Sequence, residues 1–166
     1  MLSFLPAFAM PPTAVPIHSG WRFHALNDNG HPGVEQWHPA EVPGLVQMDL
    51  LRNQLIPDPF YRDNEKSLQW IGLTDWEYQT EFDVDAATLA RGHVDLQFAG
   101  LDTYADVYLN DAELLKADNM FRCWRLSVKG PVERGKEYAA DRFSFAGHAD
   151  DAETENAPLS YSEPAD

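Results

Sequence analysis

Five consecutive polar residues, Arg62-Asp63-Asn64-Glu65-Lys66, lie between the aromatic pair Phe60-Tyr61 and Trp70, with Trp76 close behind. Two carboxylates in one cluster are the apparatus of acid–base hydrolysis. Retaining cleavage of a glycosidic bond, for instance, needs two carboxyl groups about 5 Å apart. In an extended loop Asp63 and Glu65 share a face at i and i+2 and stand roughly 7 Å apart. That spacing alone does not exclude a catalytic pair. Aromatic side chains bring large buried areas, and polar groups buried among them need specific partners. The stretch from Ile56 to Phe82 is therefore read as a loop packed against a site or another domain. Trp70 and Trp76 are candidates for stacking on a sugar ring, although Trp76 opens an alternating strand, which favours burial in the core.

Other chemistry has weaker support. The six histidines, His18, His24, His31, His38, His93 and His148, show neither H-x3-H nor H-E-x-x-H spacing. No acidic loop of calcium-binding spacing precedes the C-terminal tail. Neither a glycine-rich phosphate loop nor a nucleophile elbow is visible, although a Ser–His–Asp set stays open. The single cysteine, Cys123, cannot form an intrachain disulfide. It is read as a small buried hydrophobe in preference to a nucleophile. No metal and no cofactor is expected.

The 166 residues suffice for one domain with a moderate core, and 44% hydrophobic content is that of a globular chain. A net charge of −15 argues against nucleic acid and against an anionic membrane surface as partners. Five Trp, six Tyr and nine Phe favour a β-rich core or a carbohydrate-handling surface.

Strand patterns dominate. Trp21 to His24 alternates after Gly20. Trp76, Tyr78, Thr80 and Phe82 form one face of a period-2 strand, with Glu77, Gln79 and Glu81 opposite. Val94, Leu96 and Phe98 repeat the pattern, as do Ala105, Val107 and Leu109, and Trp124, Leu126 and Val128. Asn110-Asp111 suits a tight hairpin turn, with Glu113 to Lys116 returning. Helical signals are few: Val46 to Asn53, and a short turn over 86–90 capped by Asp85 and closed by Gly92. Short strands punctuated by Gly, Pro and Asn/Asp predict an all-β antiparallel sandwich.

Particular motifs carry a resemblance. DPFYRDNE, then QWI, DWEY, GLDTYADVYLN (Gly100 to Asn110) and ADNMFR (Ala117 to Arg122) resemble the N-terminal domain of β-mannosidases, in glycoside hydrolase family 2. GWRFHAL and the W-x-P-A-x-V-P-G segment, Trp37 to Gly44, extend the match over roughly His18 to Gly135. The usual Asn-Gly turn is Asn-Asp here. The resemblance implies a jelly-roll, galactose-binding-like sandwich, the first domain of an enzyme that removes terminal β-D-mannose with retention. Both catalytic glutamates of such an enzyme sit on a TIM barrel that this chain lacks, so the fragment alone is expected to be inactive. Asn64 is implied as a contact to a sugar hydroxyl. Arg62, Asp63 and Glu65 are read as interdomain ion-pairing groups and Asp102 as a framework residue. The alternatives are a free-standing carbohydrate-binding module and a purely structural sandwich. A free module should expose two or more Trp or Tyr on one face, an orphaned enzyme domain the Phe60–Trp70 loop.

Three segments follow: 1–16, 17–136 and 137–166. In the first, the apolar run Leu2 to Phe8 and the small-x-small Ala7-Phe8-Ala9 suit either the remnant of a signal peptide or a disordered lead. The former implies a periplasmic or secreted protein, the latter a cytoplasmic one. Residues 17–136 are the sandwich. From Tyr138 onward there are seven acids and one base. The resemblance stops at Lys136, and a one-base slip in the gene would account for it. Residues 137–166 are then an out-of-frame, disordered tail without a ligand.

Overall fold

The computed structural model describes residues 14–130 and the backbone of the strand at 141–147. Most of the N-terminal lead and the remainder of the tail lie outside the described residues. Among the described residues twelve short elements follow one another, eight of them strands. β1 (Arg22–Ala25), β2 (His38–Pro39), β3 (Trp76–Phe82), β5 (Ala105–Leu109), β6 (Ala112–Ala117) and β8 (Asp141–Gly147) form one antiparallel sheet in the order β2-β1-β3-β8-β5-β6. β4 (Asp95–Phe98) and β7 (Trp124–Ser127) form a second, two-stranded sheet.

Alternation sets which face each strand buries. Phe23 and Ala25 of β1, Trp76, Tyr78 and Thr80 of β3, and Ala105, Val107 and Leu109 of β5 all point inward. Burial of a large apolar side chain contributes about 1.5–3 kcal/mol, so this face supplies most of the favourable energy. Leu96, Phe98 and Trp124 of the smaller sheet pack against the same core, and Leu126 packs on Leu109 and Val128. The two sheets thus enclose one interior, as the sandwich reading expects.

The hairpin between β5 and β6 turns on Asn110 (φ 50°) and Asp111 (φ 62°). Two successive positive-φ residues match the right-handed twist of the flanking strands, so Asn-Asp serves where Asn-Gly is usual. Past the turn the register slips: Val107 pairs with Leu115 but Tyr108 with Glu113. Leu114 is therefore the extra residue of a β-bulge, and both Leu114 and Leu115 reach the core. Alternation alone did not disclose this.

Short helical turns join the strands among the described residues. α1 (Val46–Arg52) buries Leu50, and α3 (Ala86–Leu89) starts where Asp85 Oδ1 accepts from Thr88 N at 2.6 Å. The second half of the polar cluster, expected as an extended loop, is instead α2 (Asn64–Ser67), leading into a 3-10 turn at Gln69–Leu73.

The expectation of a disordered tail over residues 137–166 does not hold for 141–147. β8 lies between β3 and β5, and its whole length pairs with β3, from Trp76↔Gly147 to Phe82↔Asp141. The sequence DRFSFAG alternates, and Phe143 and Phe145 stand in register with Thr80 and Tyr78 on one side and Leu109 and Val107 on the other. The acidic composition of the tail as a whole hid this short period-2 run.

Leu109 lies at the contact between the sheets and is fully buried. Leu109→Ala should lower unfolding free energy by about 2–5 kcal/mol, read as a reduced urea midpoint at unchanged slope.

Candidate functional site

The segment carrying the sequence candidates is organised around Asp58. Its Oδ1 accepts from Phe60 N at 2.9 Å and its carbonyl from Tyr61 N at 3.2 Å. The Asn64 side-chain Nδ2 donates to that same carbonyl at 2.8 Å, which closes residues 58–64 into a tight loop. Arg62 takes up φ 53° there, uncommon for a long side chain. Its guanidinium lies 5.1 Å from the centre of the Tyr61 ring.

This geometry separates the two carboxylates. Asp63 precedes α2 and pairs with Lys66 at 3.6 Å, three residues on, while Glu65 lies inside the helical turn. Asp63 is the residue before the helical turn and Glu65 is within it, so the two do not share the face that an extended loop would give them. Arg62, Asp63 and Glu65 are all exposed and Asn64 is half-buried.

The aromatic residues divide sharply. Trp76 is core, with its Nε1 donating to Ile71 O at 3.0 Å. Trp70 is half-buried and stacked on His31, with ring centres 3.8 Å apart and planes 13° apart. Phe60, by contrast, is 89% exposed, and Tyr61 and Leu73 are exposed too. A second exposed group, Tyr104, Met120 and Phe121, occupies the loops on either side of the β5–β6 hairpin. Asp102 sits beside it, its Oδ1 accepting from Thr103 N at 3.0 Å and Thr103 Oγ1 at 3.1 Å. This is the local turn-fixing role expected of it.

The only exposed tryptophan among the described residues is Trp37, at 38%, and its ring is partly covered. The Arg22 guanidinium lies 4.9 Å and the His24 ring 4.1 Å from it. His24 Nε2 in turn lies 3.2 Å from Glu77 Oε2. Besides Trp37, the exposed Trp and Tyr among the described residues are Tyr61 and Tyr104, and the 58–73 segment is open at Phe60, Tyr61 and Leu73.

Cys123 is exposed, not buried. The run Trp124, Leu126, Val128 faces inward, so Cys123, Arg125 and Ser127 face outward by the same alternation. His18 and His38 bond backbone carbonyls, of Val42 and Gly33 respectively. Among the described residues no three His, Cys, Asp or Glu side chains are grouped to hold a metal.

Sequence reasoning missed the most constrained polar group of the fold. Asp49, in α1, is 1% exposed. Its Oδ1 accepts from Glu41 N at 3.0 Å and Arg52 Nη1 at 3.1 Å, and its Oδ2 from the Tyr78 hydroxyl at 3.0 Å. Arg52 also reaches Glu41 at 2.7 Å. Gly44 belongs to this arrangement, because a Cβ there would overlap the Glu41 carbonyl oxygen. An acid spaced three residues before an arginine within an apolar helix was the available signal. Burial first, then the Asp49 charge and its hydrogen bond, push the Tyr78 phenol far above its ordinary range.

Comparison with known proteins agrees with this organisation. The family model described as "Glycosyl hydrolase 2 galactose-binding domain-like" matches residues 21–165. The chain belongs to that family. The match runs well beyond Lys136, where the motif resemblance stops. β-Mannosidase from Capra hircus is 34% identical over 126 residues, 76% of this chain and 14% of the relative. β-Mannosidase B from Aspergillus terreus is 38% identical over 113 residues, 68% of this chain and 13% of the relative. The crystal structure of β-D-mannosidase from Dictyoglomus thermophilum superposes with a TM-score of 0.70 at 33% identity, covering 81% of this chain and 15% of that one. A Ruminococcus gnavus β-glucuronidase, with a TM-score of 0.53 at 15% identity, shares the fold. The chain thus spans 13–15% of the length of these mannosidases. The all-β galactose-binding-like sandwich expected from the motifs is the fold observed.

Two outcomes test the Asp49 centre. Asp49→Ala leaves the buried Tyr78 hydroxyl without its acceptor and should cost about 1–3 kcal/mol from that group alone, measured by urea unfolding. The raised Tyr78 pKa gives the folded state the tighter hold on the phenolic proton. Its stabilisation is complete below the ordinary phenol value of about 10 and is lost as pH climbs from there towards the folded value. Tyr78→Phe should therefore flatten the fall of stability with pH on the alkaline side of about 10.

Proposed function

We propose that this domain is the non-catalytic N-terminal part of a β-mannosidase, in which a separate barrel performs retaining hydrolysis of terminal β-D-mannose. The observation that carries this reading is the exposed Phe60-Tyr61 pair beside Asn64, on a segment whose motifs match mannosidases one after another. Large apolar groups left in water on an ordered loop mark a contact surface. In the assembled enzyme that loop borders the sugar pocket, Asn64 supplies a hydrogen bond to a hydroxyl, and Arg62, Asp63 and Glu65 pair across the domain boundary. Separation of Asp63 from Glu65 supports a bracing role over catalysis in this chain.

The acid- and alanine-rich composition after Lys136 is what suggests a slipped reading frame at residues 137–166, and the family match that continues to residue 165 weighs against it. An alternating segment can fill the gap between two open strand edges whatever its origin, so β8 is compatible with that history. The gene sequence is the test: a shifted frame that runs on into a barrel with two glutamates is expected, and an immediate stop overturns the slip.

Two activity measurements test the function. The isolated chain should not hydrolyse an aryl β-mannoside, and turnover that disappears in Glu65→Gln would make the loop catalytic after all. Grafted in place of the first domain of the Dictyoglomus thermophilum enzyme, residues 17–166 should yield a soluble chimera that retains β-mannosidase activity. A folded chimera with no activity, whose barrel still binds substrate analogues, rejects the proposed role.

A further inference from the structure

A short turn far from residues 69–74 in sequence reaches across to them. Residues 28–31 are shaped by their own bonds: Asp28 Oδ1 accepts from Gly30 N at 3.0 Å and Asp28 O from His31 N at 2.6 Å. Asn29 (φ 44°) and Gly30 (φ 80°) both take left-handed backbone, which Asn and Gly tolerate best. The turn then makes two contacts with the segment beyond α2. Asn29 Nδ2 donates to Thr74 Oγ1 at 2.7 Å and approaches Leu73 O at 3.4 Å. The His31 ring stacks on Trp70. Thr74 Oγ1 in turn donates to Trp70 O at 2.9 Å, so the two contacts grip the 3-10 turn at both of its ends.

The inner side of the same turn is fixed by the core. Ile71 is buried, its carbonyl receives the Trp76 indole, and Trp70 lies 6.1 Å from Trp76. Upstream, Gln69 Nε2 donates to Glu65 O at 2.9 Å, which couples the 3-10 turn to α2. Chain order therefore runs from the latch contacts at Trp70 and Thr74, through Gln69 and Glu65, to Asn64.

We propose that the 28–31 turn is a latch that sets the position of the 64–73 segment, with Asn29 and His31 as positioning residues for the surface that segment presents. Its bearing on the sugar site rests on the function proposed above; the latch itself does not. Neither residue lies in the polar cluster, and both side chains do their work by contact with the segment's outer side. His31 acts through its flat ring and Asn29 through its amide.

Hydrogen–deuterium exchange on the whole chain tests this. His31→Ala removes the ring, and Asn29→Gly removes the amide while keeping the left-handed backbone. Each should speed exchange of the Lys66, Leu68 and Ile71 amides by about threefold to tenfold, the range expected for one aromatic contact or one hydrogen bond. The amides of β3 and β5 should be unchanged. His31→Phe, which keeps a flat ring, should restore protection. Unchanged exchange at 66–71, an equal rise across β3 and β5, or failure of His31→Phe to restore protection each overturns the latch. In the grafted mannosidase His31→Ala should raise KM with kcat held. An inactive graft that still shows the local exchange pattern rejects the proposed function and leaves the latch standing.

Discussion

The buried carboxylate of Asp49 ties together parts of the chain that have little else in common. It sits on α1, yet its three partners lie in the 37–44 segment, on β3 and one turn further along α1. Removing a charge from water is costly unless charge and hydrogen bonds replace the hydration. Arg52 provides the charge, and the Tyr78 hydroxyl and Glu41 amide provide the rest. α1 is thereby oriented on β3, so that Leu50 enters the core beside Phe23 and Tyr78. The rings of Phe23 and Tyr78 stack at 5.4 Å, which extends the same cluster to β1. The requirement at Gly44 for close backbone approach follows from the same packing.

A second constraint is topological. Among the described strands, β1–β3 and β5–β6 belong to one sheet only because β8 pairs with both β3 and β5. Two strand edges facing each other across an unfilled gap would leave rows of backbone donors and acceptors unpaired. A segment with period-2 alternation of the right length answers that need. This explains how a stretch whose composition departs from the rest of the chain comes to lie in the middle of the sheet.

The polar cluster lies at the rim of this structure and depends on it at a distance. Its conformation comes from local bonds to Asp58 and from the 3-10 turn packed through Ile71 and Trp76. What it offers outward is a mixed surface, with apolar Phe60 and Tyr61 beside Arg62 and Glu65. Such a surface matches the composition of contacts between domains of one chain, which are more polar than a permanent core. Fold alone does not carry function.

By itself the sequence determined six of the eight described strands, most of their buried faces, the Asn110-Asp111 hairpin, the Asp85 cap and the family, because these depend on neighbours at most a few residues apart. Alternation states which side of a strand is apolar whatever lies opposite. The outward position of Cys123 and the strand at 141–147 were legible in the same alternation but were obscured by an assumption of burial or by composition, whereas the β-bulge at Leu114 shows only in the pairing of β5 with β6. Only the tertiary structure decided the rest. It turned the second half of the expected loop at 62–66 into a helical turn, so that Asp63 and Glu65 do not share a face. It also brought Asp49 to Tyr78 and His31 to Trp70, pairs separated by 29 and 39 residues. Such meetings are set by how the core packs, and no local pattern in the chain records them.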